Sequence, residues 1–165
     1  MSKIRVLFVC LGNICRSPAA EAIFKTITEK NNHNFRFEVD SAGTSAHHAG
    51  EMADPRMRSM GVELGYELIS ISRKFVHLDF SRFDFILVMD NQNLKNVLRQ
   101  TVSDEEIIKV KKLTDYSSGE FSGFDEVPDP YYGGLDGFKI SFSLLENCCQ
   151  NLYDDLITKT TKELS

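Results

Sequence analysis

The chain has 165 residues, 42% of them hydrophobic and 26% charged, which is typical of one soluble domain with a sizeable core. Its formal net charge of -5 excludes a general attraction to nucleic acid or anionic lipid, so any anion site has to be local. No apolar run approaches the roughly 20 residues of a membrane span and the N-terminus carries no export signal, so we expect a cytoplasmic protein with reduced thiols.

The first elements follow from residue preference and periodicity. Residues 3–9 are rich in β-branched residues and phenylalanine, which predicts a strand. A helix is expected next, with Ser17 as its N-cap and Pro18 at its first position. Residues 35–40 alternate apolar and charged side chains, and this alternation predicts a second strand.

The middle of the chain contains a helix signal and a buried strand. Asp54 as N-cap, Pro55 at the first position and Gly61 as the stop predict a short helix. Residues 83–90 contain an uninterrupted apolar run, which indicates burial on both faces, as in a parallel sheet. The polar segment 91–100 is expected to be helical.

The last elements complete an alternating pattern. We predict a strand over residues 107–113, and apolar residues at spacings of three and four over 138–156 predict a final helix. Strands that alternate with helices indicate an open parallel α/β sheet with right-handed crossovers and helices on both faces. Because neither a repeat nor a linker interrupts the pattern, we expect a single domain over residues 1–165.

Residues 10–16, which we call the first loop, join the first strand to the first helix. This is the edge where open α/β sheets bind ligands. Successive backbone N–H groups and the positive end of the helix dipole favour a phosphate-like anion there. Arg16 adds a planar fork that can bond two anion oxygens at once. The first loop is therefore predicted to bind an oxyanion.

Cys10 extends this prediction from binding to chemistry. A thiol that is ringed by N–H donors and lies near Arg16 favours the thiolate, which is a nucleophile. Gly12 allows a tight backbone, and Ser17 can donate a hydrogen bond to sulfur. The alternative is a cysteine that only packs in the core at the end of a buried strand.

Three motifs carry a resemblance to a known family. CLGNICRSP (residues 10–18), DSAGTS (40–45) and VPDPYYGG (127–134) occur in this order and resemble the landmarks of the low-molecular-weight protein tyrosine phosphatases. The resemblance spans the chain. It implies a four-stranded parallel sheet flanked by helices, with the phosphate-binding loop between the first strand and the first helix. It also implies no metal, no organic cofactor and a two-step mechanism through a phosphocysteine.

The resemblance also implies a role for each motif residue. Cys10 matches the nucleophile, Arg16 the clamp on the transition state, and Ser17 the hydroxyl that stabilises the leaving thiolate. Asn13 matches the asparagine that holds the strained loop, and Ser41 the serine bonded to it. The loop residues expected to bind or support the phosphate are Leu11, Gly12, Asn13, Ile14, Cys15 and Ser17.

The third motif supplies the expected general acid. Asp129 matches the family's proton donor, and a carboxyl that protonates the leaving oxygen can later deprotonate water. Two flanking prolines stiffen its backbone. Tyr131 and Tyr132 would form an aromatic wall that suits the deep ring of phosphotyrosine. The alternative is an ordinary turn aspartate, with the rival acids Asp90, Asp115 and Asp125.

Other side chains carry open alternatives. The family uses a neighbour such as Cys15 to trap an oxidised nucleophile as a reversible disulfide, but a packing role is equally open. His47 and His48 stand where family members often carry a bulky aromatic residue, which would alter substrate preference, or they lie in a solvated loop. Cys148 and Cys149 are expected to pack in the core.

The expected partners are a phosphotyrosine protein or small aryl phosphate as substrate, and phosphate or other oxyanions as inhibitors, with no nucleic acid. An arsenate reductase of the same fold is one alternative, but its relay through two further cysteines has no counterpart between residues 83 and 132. A non-catalytic module that binds phosphate or phosphoprotein is the other alternative. Such a module would need neither a nucleophile nor a proton donor.

Overall fold

The computed structural model describes residues 2–132 and 134–163, without the side chains of Tyr132 and residues 161–163. Its centre is a four-stranded sheet in the order β2-β1-β3-β4, and every strand pair is parallel. The predicted parallel sheet with helices on both faces is confirmed. The strands are β1 (Ile4–Cys10), β2 (Phe37–Gly43), β3 (Phe85–Val88) and β4 (Val110–Lys112).

Helices follow or separate the strands. They are α1 (Arg16–Lys30), α2 (Pro55–Leu64), α3 (Asp79–Arg82), α4 (Asn91–Leu98), α5 (Asp104–Ile107) and α6 (Leu135–Glu163). The short helices α3 and α5 were not predicted, because four residues carry too little periodicity to stand out. Within the described part of the chain, no helix is both long and apolar enough to cross a membrane.

The central strand β1 contributes to two cores because its side chains alternate across the sheet. Val6 and Phe8 lie in the core formed with α1, α2 and α6, whereas Leu7 and Val9 lie in the core formed with α3 and α4. All four side chains are fully buried. This burial on both faces explains why the strand reads as a continuous apolar run.

The prediction that Gly61 ends α2 is wrong. Gly61 lies inside the helix, where a β-carbon would come within 2.7 Å of the Leu68 side chain, so the glycine serves close packing. The helix ends at Leu64, and Gly65 closes it with a left-handed φ of 90°. At the other end the side chain of Asp54 accepts from the backbone N–H of Arg56, which confirms the predicted N-cap.

Three further boundaries differ from the predictions. Ser17 is not the N-cap of α1, because the helix begins at Arg16 with Cys15 at the cap position. Phe35 belongs to a short 3-10 helix and is 64% exposed, so β2 starts two residues later. Ile107 ends α5, which the Ser103 side chain caps, so the last strand is shorter than predicted.

Strand order places the functional edge of the sheet. β1 lies between β2 and β3, and Cys10 pairs in register with Gly43 at their carboxyl ends. Asp90 follows β3 at the same edge and caps α4 through a hydrogen bond from the backbone N–H of Asn93. The loops after three strands therefore meet beside Cys10.

We expect the substitution Phe142→Ala to lower the free energy of unfolding by about 3–5 kcal/mol, because it removes a fully buried ring from the core between the sheet and α6. Urea denaturation measures this change. Phe35→Ala is the matched control, since its ring is mostly exposed, and should cost less than about 0.5 kcal/mol. Equal losses from the two variants would contradict the packing described here.

Candidate active site

The first loop holds its carbonyl groups away from the pocket that it surrounds. The carbonyls of Cys10 and Leu11 accept hydrogen bonds from the backbone N–H groups of Thr44 and Ser45, both at 2.9 Å. The carbonyl of Gly12 accepts from the Ser72 hydroxyl at 2.9 Å. In a trans peptide the N–H points opposite to the carbonyl, so the N–H groups that follow these carbonyls point away from these partners. This orientation suits an anion cradle.

Two backbone features allow the loop to turn so tightly. Asn13 adopts a left-handed φ of 56°, a conformation that asparagine tolerates better than most residues. Gly43 on β2 lies directly against the loop, since a β-carbon there would come 2.8 Å from the Leu11 carbonyl oxygen and 3.1 Å from the Asn13 nitrogen. The loop therefore needs a residue without a side chain at position 43.

A buried chain of hydrogen bonds leads from Asn13 to the cysteine. The Asn13 side-chain amide donates to Ser17 Oγ at 2.7 Å and to Ser41 Oγ at 2.9 Å. The Ser41 hydroxyl donates in turn to Glu21 Oε1 at 2.6 Å. Because Ser17 Oγ accepts from the amide, its own proton is free to point at Cys10 Sγ, 3.0 Å away. The Ser17 hydroxyl thus lies where it can donate to the sulfur.

Arg16 is a charged side chain that is almost completely buried. Its Nη1 donates to Asp90 Oδ2 at 2.7 Å and to the Val127 carbonyl at 3.0 Å, and its Nη2 donates to Asp129 Oδ2 at 3.3 Å. Burial opposes the charge, but the charge at Cys10, the Asp90 hydrogen bond and the Asp129 charge outweigh it and raise the pKa of Arg16 above its usual range. The guanidinium therefore stays charged beside Cys10.

Asp129 is placed opposite the first loop by its own local contacts. Its second oxygen, Oδ1, accepts from the backbone N–H of Tyr131 at 3.0 Å. Pro128 accepts a hydrogen bond at its carbonyl from the Ser141 hydroxyl of α6, also at 3.0 Å. The Asp129 carboxyl therefore faces Arg16 from a loop that a hydrogen bond ties to α6.

These residues surround one pocket of about 290 Å³. Apolar atoms form much of its wall, and the polar groups come from Cys10, Arg16 and Asp129 and also from Ser45, His47 and His48. The lining residues are Cys10, Leu11, Gly12, Ile14, Cys15, Arg16, Ser45, His47, His48, Asp129 and Tyr131. A pocket that combines apolar surface with a buried guanidinium suits an anion that carries a flat apolar group.

The structure brings most of the predicted site residues together. Asn13, Ser17 and Ser41 support the loop from behind, and Tyr131 lines the pocket. The side chain of Tyr132 lies outside the described residues. His48 Nδ1 lies 2.6 Å from Glu51 Oε2, within hydrogen-bond distance. The His48 ring centroid lies 6.0 Å from that of Tyr131.

The three aspartates considered as alternatives to Asp129 lie outside the pocket lining, and two of them have other partners. Asp125 is 71% exposed in its side chain and pairs with Lys112. Asp90 binds Arg16 and caps α4, so its two oxygens are both engaged. Asp115 lies in a short 3-10 helix and does not line the pocket.

Two supporting residues escaped the sequence analysis. Glu21 is buried and accepts from Ser41 and from the Lys25 ammonium, although glutamate in a helix usually suggests a solvated face. Glu21 stands between Ala20 and Ala22 in the sequence, and this apolar setting was the signal that could have indicated its burial. Arg73 donates its backbone N–H to Asn13 Oδ1 at 3.0 Å, and no motif marked it.

The other three cysteines have environments that disfavour the thiolate. Burial, and then the charge of Asp54, raises the pKa of Cys15 far above its usual range. Burial raises the pKa of Cys148 to about 12, and burial also raises that of Cys149. Cys15 lines the same pocket as Cys10, and the disulfide between them stays a prediction. Among the described residues no His, Cys, Asp and Glu side chains cluster in a way that would hold a metal.

Comparison with known proteins gives consistent likenesses. A family model described as low molecular weight phosphotyrosine protein phosphatase matches residues 5–163. The protein of that name from Schizosaccharomyces pombe is 43% identical over 149 residues, which are 90% of this chain and 94% of that protein.

Solved structures give the same likeness in three dimensions. A crystal structure of a protein tyrosine phosphatase from Entamoeba histolytica, with Hepes in its active site, has a TM-score of 0.91 and 42% identity, covering 96% of this chain and 99% of that one. A Drosophila arginine phosphatase has a TM-score of 0.85 and 29% identity, covering 93% and 98%. Each likeness extends over nearly the whole chain.

We expect Gly43→Ala to weaken the binding of inorganic phosphate, since the new methyl group would displace the backbone at Leu11 and Asn13 and disturb the cradle. A loss of at least about tenfold in affinity is expected from a displacement of this kind. Calorimetric titration with phosphate measures it. Gly137→Ala in α6 is the control, because nothing lies within 4 Å of its added methyl group, and unchanged binding in both variants would contradict the close approach.

We expect iodoacetate at pH 7 to alkylate Cys10 alone in the folded protein. The raised pKa values keep Cys15, Cys148 and Cys149 protonated until the pH approaches those values, and a protonated thiol is a poor nucleophile. Peptide mass spectrometry identifies the labelled residue, with the guanidinium-unfolded chain as the control in which all four react. Labelling of Cys15 as fast as Cys10 would contradict this assignment.

Proposed function

The chain belongs to the family of low-molecular-weight phosphotyrosine protein phosphatases, and from this premise we propose the residues that carry out its reaction. The protein is a hydrolase of phosphotyrosine. We assign Cys10 as the nucleophile, Arg16 as the phosphate clamp and Asp129 as the general acid and base. The observation that carries the assignment is that all three side chains line one pocket above the cradle of the first loop.

In the first step the Cys10 thiolate attacks phosphorus. The sulfur–phosphorus bond forms as the bond from phosphorus to the tyrosyl oxygen breaks, and Asp129 gives its proton to that oxygen. The negative charge on the three equatorial oxygens meets the N–H groups of the first loop and the Arg16 guanidinium. These donors are fixed before the reaction, because the outward carbonyl bonds of the loop and the Asp90 contact hold them.

Asp129 is released as the phosphoryl group enters. In the structure Nη2 of Arg16 donates to Asp129, and a phosphoryl oxygen needs the same donor. Nη1 stays bound to Asp90 and to the Val127 carbonyl, so the guanidinium plane keeps its orientation. The exchange leaves the Asp129 carboxyl free to face the leaving oxygen.

In the second step water hydrolyses the phosphocysteine. Asp129, now a carboxylate, takes a proton from the water. The water oxygen bonds to phosphorus as the sulfur–phosphorus bond breaks. The electron pair returns to Cys10 as the thiolate, which the Ser17 hydroxyl stabilises at 3.0 Å. Inorganic phosphate then leaves the cradle.

The pocket walls support a flat aromatic substrate. Leu11, Ile14 and Tyr131 line the side of the pocket, and they present apolar atoms to a ring. A phosphoserine chain is shorter and would leave these walls without contact. A phosphoarginine would bring a charged guanidinium against the apolar atoms of Leu11, Ile14 and Tyr131, which carry no charge to pair with it.

The thiol chemistry favours the reducing cytoplasm as the place of action, because oxidation of Cys10 removes the nucleophile. The other reading of this fold, an arsenate reductase, needs two further cysteines for a relay. Outside the first loop the chain has only Cys148 and Cys149, and both lie on α6 with their side chains buried in the core. The pair of a nucleophile and an acid in one pocket supports hydrolysis.

We expect rapid phosphate release from a phosphotyrosine peptide and little from the matched phosphoserine and phosphoarginine peptides. Cys10→Ser should abolish turnover, and Asp129→Asn should lower kcat by roughly 10²–10⁴-fold because the leaving oxygen loses its proton donor. Asp125→Asn is the matched control, since that carboxyl lies outside the pocket and pairs with Lys112.

Each contrary outcome points to a different reading. Full activity of Asp129→Asn would overturn the assignment of the acid, and full activity of Cys10→Ser that of the nucleophile. Faster release from phosphoarginine than from phosphotyrosine would overturn the substrate class. Tight binding of the phosphotyrosine peptide by the reduced protein without release would favour a binding module.

A further inference from the structure

We propose that Arg73 and the buried Asp79 form a positioning pair that orients the Asn13 amide and, through it, the Ser17 hydroxyl that faces Cys10. The inference deepens the proposed function and rests on Cys10 as the nucleophile. Neither Arg73 nor Asp79 lines the pocket, so the pair acts only through other residues.

Asp79 is a carboxylate with no exposed surface in its side chain. It binds the Arg73 guanidinium as a fork, with Nη1 donating to Oδ2 and Nη2 to Oδ1, both at 3.1 Å. Its Oδ2 also accepts from the backbone N–H of Val76 at 2.8 Å. A charge this deeply buried is costly unless it is paired, and the pair fixes both side chains in one geometry.

Arg73 is also tied down along its backbone. Its carbonyl accepts from the N–H of Gly43 at 2.8 Å, and the N–H of Phe75 donates to the Gly43 carbonyl at 2.7 Å. The Arg73 side chain further binds Asp40 on β2, with Nη2 at 3.0 Å from Oδ2. The fork and the backbone bonds together fix the direction of the Arg73 N–H.

That N–H donates to Asn13 Oδ1 at 3.0 Å, which decides how the Asn13 amide is oriented. With its oxygen facing Arg73, the amide turns both N–H bonds towards Ser17 and Ser41. The reversed amide would place N–H against N–H at Arg73 and would leave both hydroxyls without this donor.

The amide orientation in turn decides where the Ser17 proton points. Ser17 Oγ lies 3.0 Å from Cys10 Sγ and 3.4 Å from the Ala42 carbonyl, so two acceptors compete for one proton. A donation from Asn13 on one side of the oxygen favours the shorter contact to sulfur. The pair at Arg73 and Asp79 thereby supports the thiolate without touching it.

The test measures the rate of Cys10 alkylation by iodoacetate against pH, which reports on the thiolate without turnover. We expect Asp79→Asn to move this profile to higher pH and to slow alkylation at pH 6 by about tenfold. kcat for the phosphotyrosine peptide should fall by a similar factor, while KM changes less than about twofold, because the substitution removes no group that lines the pocket. Arg73→Lys keeps the charge but loses the fork, and should act in the same direction.

A double-mutant cycle separates positioning from general destabilisation. In the Ser17→Ala background, which lacks the hydroxyl, Asp79→Asn should cause little further change in the alkylation profile. Asp84→Asn is the control, because it weakens the half-exposed pair with Arg5, neither residue lines the pocket, and the substitution should leave the profile unchanged.

Unchanged profiles in folded Asp79→Asn and Arg73→Lys would overturn the proposal, as would an equal effect of Asp79→Asn with and without the Ser17 hydroxyl. Thermal unfolding checks that each variant is folded, and if Asp79→Asn does not fold, Arg73→Lys carries the test. Failure of the proposed function would be a separate result. It would appear as turnover retained by Cys10→Ser, whatever the alkylation profiles show.

Discussion

Burial of the Arg16 guanidinium is the constraint on which the rest of the site depends. A charge with 2% of its side chain exposed has to be compensated nearby, and two carboxylates and a backbone carbonyl provide this. They come from the loop after β3 and from the loop before α6, far from Arg16 in sequence. Satisfying one cation therefore brings three segments of the chain to the edge of the sheet beside Cys10.

The sheet order makes this convergence possible. β1 is flanked by β2 and β3, so the first loop has the Gly43 backbone on one side and Asp90 on the other. Because both faces of β1 are buried, the strand cannot shift its register without moving Phe8 and Val9 into the wrong cores. The fixed strand β1 thus determines where the Cys10 sulfur lies. The surrounding loops determine the directions of the hydrogen-bond donors around it.

Local sequence patterns predicted the sheet architecture and singled out the residues of the first loop. Residues whose place depends on long-range contacts were not predicted. Apolar runs and the Asp54-Pro55 pair are local signals, so the strands and α2 were predictable apart from their ends. Gly61 misled because a glycine that makes room for Leu68 looks like one that ends a helix. The partners of Arg73 lie in β2 and α3, and no local pattern relates an arginine to carboxylates 33 and 6 residues away.

The contact between Arg16 Nη2 and Asp129 also bears on how the enzyme separates substrate from product. Any oxyanion that enters the cradle has to displace this carboxylate, so an internal competitor lowers the affinity of every anion alike. An aryl ester recovers part of that loss, because its bridging oxygen accepts a hydrogen bond from the displaced carboxylic acid. After the second step the Asp129 carboxyl gives up the proton that it took from water, and the carboxylate then competes with free phosphate for Arg16 Nη2. The same carboxylate therefore competes with the product for the cradle and limits inhibition by inorganic phosphate.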